Sequence, residues 1–124
     1  MLDHVSLRVA DHAAAQRFYD QALAPLGLTR LFGMDDSSGY GSGRPFFWIG
    51  QGETAGYCHV AFTAPDRATV DAFYAAAIAA GGRDNGPPGL REHYHPAYYG
   101  AFVLDPEGHN IEAVCHGAGP ARPA

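Results

Sequence analysis

Hydrophobic and polar residues alternate over two short stretches of the chain, Leu2 to Val9 and Tyr57 to Ala64. Alternation with a period of two is typical of a β-strand that buries one face. After the second stretch, apolar side chains recur at helical spacing between residues 70 and 78, which predicts an amphipathic helix. A weaker helical stripe follows the first stretch, from Phe18 to Leu23. The pattern therefore predicts a strand followed by a helix, twice.

The two strand–helix units are copies of one another. Shifting the sequence by 55 residues aligns residues 4–27 with residues 59–82 without a gap, with 9 identities in 24 positions. Asp11 and Asp66 stand before the helices, where a carboxylate caps backbone N–H groups. Further strand candidates are Thr29–Gly33, Gly39–Ser42, Pro45–Gly50, Tyr99–Leu104 and His109–His116. Each copy is therefore interpreted as a βαβββ module.

These modules predict an α+β fold, in which they pair into an eight-stranded curved sheet around a cleft with the helices on the outside. We expect one domain over residues 1–117, with module one at about 1–52 and module two at about 56–117. Residues 118–124, rich in Gly, Pro and Ala, are expected to form a flexible tail. The Gly-rich connection at residues 50–56 would let the modules pair within one chain or swap between two, and we expect a homodimer.

Composition narrows the possible partners and the location. Of the 124 residues, 47% are hydrophobic and 17% charged, which excludes a disordered chain. The net charge of −5 and the lack of a basic cluster argue against nucleic acid. No apolar run approaches the roughly 20 residues of a membrane span. With no leader-like N-terminus and only two cysteines, we expect a cytoplasmic protein.

Two histidines occupy equivalent positions, His4 and His59, on the first strand of each copy. If the modules pack about a pseudo-twofold axis, the two imidazoles face each other across the cleft, an arrangement that suits a metal ion. Glu112 is the acidic candidate for a third ligand, because alternation places Ile111 and Ala113 on the core face. The alternatives are half-buried structural histidines and an exposed strand glutamate.

The second copy is longer, and the excess falls in residues 85–99, rich in Gly, Pro, Tyr and His. We interpret this segment as a substrate-binding loop. The alternative is a surface loop whose aromatic rings pack on Phe46 to Trp48. As a functional loop it offers His93 and His95 as acid/base groups and Tyr99 as a hydrogen-bond donor, all three catalytic candidates, with Tyr94 and Tyr98 contacting substrate.

Three motifs carry a family resemblance: Asp3 to Asp11 followed by Phe18-Tyr19, Cys58 to Phe62, and Asp105 to Glu112. Together they resemble the vicinal oxygen chelate superfamily. That superfamily includes glyoxalase I, fosfomycin-resistance enzymes, extradiol dioxygenases, methylmalonyl-CoA epimerase and bleomycin-resistance proteins. The resemblance implies a U-shaped cleft with His4, His59 and Glu112 at three metal-ligand positions. The implied cofactor is a divalent ion, Fe(II), Mn(II), Zn(II) or Ni(II), with no organic cofactor.

The sequence departs from the glyoxalase-like pattern at a further ligand position on the last strand of module one. Aligning Gly43 with Gly108 places Phe47 opposite Glu112, and a one-residue slip would place Trp48 or Phe46 there. None of these side chains binds a metal, so two histidines and one carboxylate remain, as in the facial triad of non-haem iron enzymes. We expect Phe47 and Trp48 to form an apolar wall for the substrate.

The sequence thus favours a glyoxalase- or dioxygenase-like metalloenzyme. Its divalent metal would bind the vicinal oxygens of a small aromatic or α-hydroxycarbonyl substrate. Glyoxalase I chemistry itself is disfavoured, since it relies on two opposed carboxylates. The alternative is a metal-free protein that binds or sequesters a small molecule, as bleomycin-resistance proteins do.

Overall fold

Each repeat folds into the same order of elements in the computed structural model, which describes residues 1–54 and 56–117. Module one contains β1 (Val5–Val9), α1 (His12–Ala22), a 3₁₀ turn (Ala24–Leu26), β2 (Thr29–Gly33), β3 (Ser37–Ser42) and β4 (Arg44–Gln51). Module two contains β5 (His59–Thr63), α2 (Arg67–Ala79), β6 (Arg83–Leu90), β7 (Tyr99–Leu104) and β8 (Asn110–Cys115). The predicted tail at residues 118–124 lies outside the described residues.

The strands form two four-stranded sheets with matching topology, β1-β4-β3-β2 and β5-β8-β7-β6. In each sheet the first strand is parallel to the last, and the other pairs are antiparallel. The predicted α+β fold of two βαβββ modules is therefore confirmed. The first strand of each module lies at a sheet edge, and the hydrogen-bonded ladders of the described strands stop there. None of the described helices is long and apolar enough to cross a membrane.

Both modules contribute to a single hydrophobic core. Phe18 on α1 and Phe73 on α2 are fully buried, and the two helices contact each other. Phe47 of β4 packs edge-on against Phe62 of β5, with ring centroids 5.3 Å apart. Burial of a side chain of this size contributes about 1.5–3 kcal/mol. The core faces of the two sheets are thereby held together within one chain.

The turn before β8 joins the second module to the first helix. Asp105 is 1% exposed, and its Oδ1 accepts hydrogen bonds from the backbone N–H groups of Glu107 and His109, each at 2.9 Å. Its Oδ2 accepts one from the Tyr19 hydroxyl at 2.5 Å. The Glu107 carboxylate accepts the backbone N–H groups of residues 10 and 11, at 2.9 and 3.2 Å, and so stabilises the start of α1. The Asp-Pro-Glu-Gly motif therefore locks the modules together.

The two edge strands, β1 and β5, run in opposite directions past each other. The buried His109 ring accepts the N–H of Cys58, just before β5, at 3.0 Å, and its other nitrogen lies 3.3 Å from the carbonyl oxygen of Arg8, near the end of β1. Phe62, late in β5, contacts Phe47, whose register partner is Val5 at the start of β1. We call the contact between these two strands the β1–β5 junction. The residues that precede β1 and those that begin β5 therefore lie at its opposite ends.

The segment predicted as a long loop, residues 85–99, is partly a strand. β6 continues to Leu90 and contains Pro87 and Pro88, which an edge strand tolerates because one row of its N–H groups needs no partner. Register shifts around Gly86 disrupt its pairing with β7 and obscure any alternating pattern. The loop itself comprises residues 91–98, closed by a 2.7 Å hydrogen bond from the Arg91 N–H to the Tyr98 carbonyl oxygen.

Candidate functional site

Parallel pairing of β5 with β8 brings His59 and Glu112 together. His59 is the register partner of Asn110, and Glu112 that of Ala61, so both side chains lie on the face of the sheet that points away from the core. The His59 Nε2 atom is 2.8 Å from Glu112 Oε1. The His59 side chain is 53% exposed, whereas that of Glu112 is 2% exposed. An accessible imidazole therefore lies beside a buried carboxylate.

The second oxygen of that carboxylate is bonded as well. The Tyr98 hydroxyl donates a short hydrogen bond to Glu112 Oε2. Burial, and then this hydrogen bond, raise the pKa of Tyr98 well above its usual value, so the hydroxyl keeps its proton and donates it. Both oxygens of a mid-strand glutamate thus have partners, which offsets the cost of burying it. The alternative interpretation of Glu112 as an exposed strand residue is wrong.

His4 does not join this pair within the chain. It is exposed, and its Nδ1 lies 2.7 Å from the carboxylate of Asp3, which also bonds Arg44. The hydrogen bond with His4, and then the charge of Arg44, lower the pKa of Asp3. Over residues 1–54 and 56–117, no group of three or more His, Cys, Asp or Glu side chains is arranged to hold a metal ion. A single chain therefore brings together two of the three predicted ligands, because β1 and β5 run in opposite directions.

The register identifies which aromatic residue of module one is equivalent to Glu112. Ser6, the counterpart of Ala61, pairs with Trp48, whereas Ala61 pairs with Glu112. Trp48, rather than Phe47, is therefore the equivalent of Glu112. Phe47 is 1% exposed and packs in the core against Tyr19. It also lines the cleft between β1 and β5, so its role as a wall of the substrate site stays a prediction.

Trp48 lies on the outer face of the first sheet. Its ring packs 5.3 Å from that of Phe32 and covers Gly39, where an added Cβ would come within 2.8 Å of the indole. Glycine at that position thus lets the indole lie flat across the neighbouring strand. At equivalent positions on the outer faces of the two sheets, module one therefore has the indole of Trp48 and module two has the carboxylate of Glu112.

Tyr99, predicted to be catalytic, points away from the site. Its hydroxyl donates to Asp71 on α2 at 2.7 Å, and the Arg67 guanidinium lies 5.0 Å from its ring centroid. Adjacent residues of a strand face opposite sides, so the placement of Tyr98 beside Glu112 turns Tyr99 toward the helix. The hydroxyl predicted for the site is supplied by Tyr98 instead.

The loop histidines contact the site through tyrosine rings. His95 stacks on His116, with Nε2 and Nδ1 2.7 Å apart, and its ring centroid is 5.4 Å from that of Tyr98. The His93 ring is 4.2 Å from the Tyr94 ring, which in turn packs 4.8 Å from Tyr98. His93, Tyr94 and His95 therefore lie around Tyr98. Among the described hydrogen bonds, none joins either histidine directly to Glu112.

Sequence reasoning missed several neighbours of this site. His116 follows β8 at four residues from Glu112, and a period of two along the strand would have placed it on the same face. Phe102 is the register partner of Glu112 across β7, and its ring lies 6.2 Å from that of His59. The guanidinium of Arg91, at the base of the loop, lies 5.3 Å from the centroid of the Phe102 ring. No spacing rule in the sequence marks Phe102 or Arg91.

A cleft of about 710 Å³ lies between β1 and β5. Apolar side chains such as Phe46, Val60 and Phe62 line most of it, and His4 and His59 also line it. Its size and lining suit a small organic molecule.

The sequence and fold match one protein family. A profile of the glyoxalase/bleomycin resistance protein/dioxygenase superfamily matches residues 1–113. No curated protein matches the sequence significantly.

Solved structures give a consistent result. A glyoxalase/bleomycin resistance protein from Albidiferax ferrireducens is 31% identical with a TM-score of 0.80, covering 93% of this chain and 98% of its own. A lactoylglutathione lyase from Agrobacterium tumefaciens (18% identity, TM-score 0.72, 93% and 92% covered) shares the fold. So does the fosfomycin resistance protein FosX from Mesorhizobium loti (21% identity, TM-score 0.69, 93% and 91% covered).

Proposed function

Because the chain belongs to the glyoxalase/bleomycin resistance protein/dioxygenase superfamily, we propose that it is a metalloenzyme acting on neighbouring oxygens of a small aromatic or α-hydroxycarbonyl substrate. The observation that carries this proposal is the hydrogen-bonded row of His59, Glu112 and Tyr98. An accessible imidazole beside a buried, oriented carboxylate is a donor set that suits Fe(II), Mn(II), Zn(II) or Ni(II). Tyr98 would act as the outer partner that fixes the carboxylate ligand.

The third ligand, in this proposal, comes from a second copy of the chain. His4 lies at the opposite end of the β1–β5 junction from His59, so one chain supplies His59 and Glu112 without it. A homodimer that sets the first module of one chain against the second module of the other would add the partner's His4. Two histidines and one carboxylate leave positions open for two substrate oxygens. The bound ion would supply stabilisation of negative charge on those oxygens.

The protein's own residues would shape the rest of the reaction. Tyr98 would hold the Glu112 carboxylate in orientation by donating to Oε2. In the same dimer, Trp48 would offer an apolar surface to a flat substrate without contributing a ligand. Because Trp48 replaces a second carboxylate, we expect negligible conversion of a glutathione hemithioacetal by the purified protein.

Metal analysis tests the proposal directly. Protein purified without added metal or chelator should contain about one divalent ion per chain, and His59→Ala and Glu112→Gln should lose it while remaining folded, since each removes a ligand. His93→Ala is the matched control, because His93 is exposed and its described ring contact is with Tyr94 in the loop. Equal metal content in His59→Ala and wild type would contradict the proposal. Robust lactoylglutathione formation that Glu112→Gln abolishes would overturn the expectation of negligible glyoxalase I activity.

A second candidate function is metal-free binding of a small molecule, and the apolar cleft between β1 and β5 favours it. Such a protein would bind a flat apolar ligand equally well with and without chelator, and Glu112→Gln would leave the affinity unchanged. The metalloenzyme proposal instead requires catechol-like ligands to lose affinity when the ion is removed. A calorimetric titration with and without chelator separates the two functions.

A further inference from the structure

A second, smaller pocket of about 300 Å³ lies next to the His59–Glu112 pair, on the same face of the second sheet. Its basic side chain is that of Arg91, and Phe102 and Asn110 contribute to its walls. His93 and Tyr94, from the loop at residues 91–98, cover one side. None of these residues is needed to explain the metal ligands.

The guanidinium of Arg91 is held in a fixed position. It lies 5.3 Å from the centroid of the Phe102 ring, and its Nη2 donates to the carbonyl oxygen of Pro87 at 2.7 Å. Gly86 makes room for it, since a Cβ there would come within 3.1 Å of Nη2 and 3.0 Å of the Phe102 ring. In the part of the chain that the structure describes, no carboxylate forms an ion pair with Arg91. Donors of this cation are therefore left for a ligand.

The pocket adjoins the candidate metal ligands through Phe102, which lines it. Phe102 separates Arg91 from His59, whose ring is 6.2 Å from that of Phe102 on the strand next to Glu112. Asn110, the register partner of His59, has a buried side-chain Oδ1 that finds no hydrogen-bond partner among the described residues. The hydrogen bond from the Arg91 N–H to the Tyr98 carbonyl oxygen closes the loop and links the positions of these two residues. The Arg91 side chain lies in the pocket, and the Tyr98 side chain lies against Glu112.

We propose that Arg91 forms an oxyanion subsite, and that the substrate is therefore a small acid. This inference rests on the proposed function for the role of the neighbouring oxygens, but the subsite itself binds without metal. The planar guanidinium fork matches a carboxylate or a phosphonate, and Phe102 packs against the apolar body of the ligand. The Asn110 amide is available to a hydroxyl donor on the same molecule.

Binding of three matched probes in chelator tests the subsite: benzoate, phenylphosphonate and the neutral benzamide. Calorimetry should show that Arg91→Gln weakens binding of the anions by about 10- to 100-fold, since a hydrogen bond to a charged group contributes about 1.5–3 kcal/mol. Benzamide affinity should stay unchanged. Arg83→Gln, which alters an exposed arginine at the start of β6, is the control and should bind like wild type. The preferred anion identifies carboxylate or phosphonate as the natural group.

A measurement on the wild-type protein makes the test independent of how the variant folds. Titration with benzoate should shift the backbone amide NMR signals of Gly86 and Asn110 and leave those around His12 in place. Equal anion affinity in wild type and Arg91→Gln, or shifts elsewhere on the surface, would overturn the subsite. Chelator is present throughout, so these binding results do not depend on whether the metal proposal is correct. Equally, loss of metal from Glu112→Gln would support the metal site without testing the Arg91 subsite.

Discussion

At the scale of single residues, the site depends on how one carboxylate is buried. The sequence predicted that Glu112 faces away from the core, because strand alternation fixes its side relative to Ile111 and Ala113. Its partner could not be predicted, since Tyr98 lies just before β7 and belongs to the loop. Which of two consecutive tyrosines faces the site depends on where the loop ends, and local pattern does not determine that.

Tyr98→Phe should therefore destabilise the metal-free protein. The change leaves Glu112 Oε2 buried without its donor, which typically costs about 1–3 kcal/mol. Tyr94→Phe is the matched control, because Tyr94 is 57% exposed and should lose little. Urea unfolding in chelator measures both, and equal free energies of unfolding for the two variants would show that the Tyr98 bond contributes nothing.

A second difference at the residue scale is that the equivalent of Glu112 in module one is Trp48, whereas the sequence alignment indicated Phe47. The alignment of Gly43 with Gly108 assumed that the last hairpins of the two modules have equal length. The β3–β4 pairing, however, shifts register between Tyr40 and Gly41. One extra residue moves every following side chain to the other face of a strand. The prediction that an aromatic residue replaces a ligand did not depend on the register, whereas the identity of that residue did.

At the scale of elements, the repeat was the strongest signal in the sequence. With alternation, capping aspartates and glycine ends, the sequence located seven strands and two helices. β6 was missed, because Pro87, Pro88 and two glycines give it the composition of a loop, and only its place at a sheet edge allows it to pair. The Asp105 turn joins β7 to β8, but its bond to Tyr19 is a long-range contact that no local pattern encodes.

Tyr19→Phe tests whether that turn fastens the two modules. Burial, and then the charge of Asp105, raise the pKa of Tyr19, so its hydroxyl remains a donor over the usual pH range. Its loss should lower the free energy of unfolding by about 1–3 kcal/mol, because the accepting oxygen is almost fully buried.

Tyr40→Phe provides the comparison. The Tyr40 hydroxyl also bonds a carboxylate, that of Asp20, but this side chain is 35% exposed and water can replace the donor. Thermal or urea unfolding should rank Tyr19→Phe as clearly less stable than Tyr40→Phe. The reverse order would mean that the Asp105 turn does not hold the modules together.

At the scale of the whole molecule, the sequence left open whether the site forms within one chain or between two. The connection at residues 50–56 is compatible with either arrangement, and the relative direction of β1 and β5 follows only from packing of the assembled core. The bonds of His109 and the contact of Phe62 with Phe47 hold the edge strands in opposite directions. The central claim is therefore that His4 of one chain completes the site of another.

Metal content of a mixed dimer tests this claim most directly. A His4→Ala chain and a His59→Ala chain, carrying different affinity tags, are co-expressed and purified through both tags. A site shared between copies leaves one intact set of ligands in this heterodimer, so we predict about one metal ion per heterodimer and none in either variant alone. A heterodimer without metal, or failure to recover any heterodimer while the doubly tagged wild type binds metal, would contradict the account.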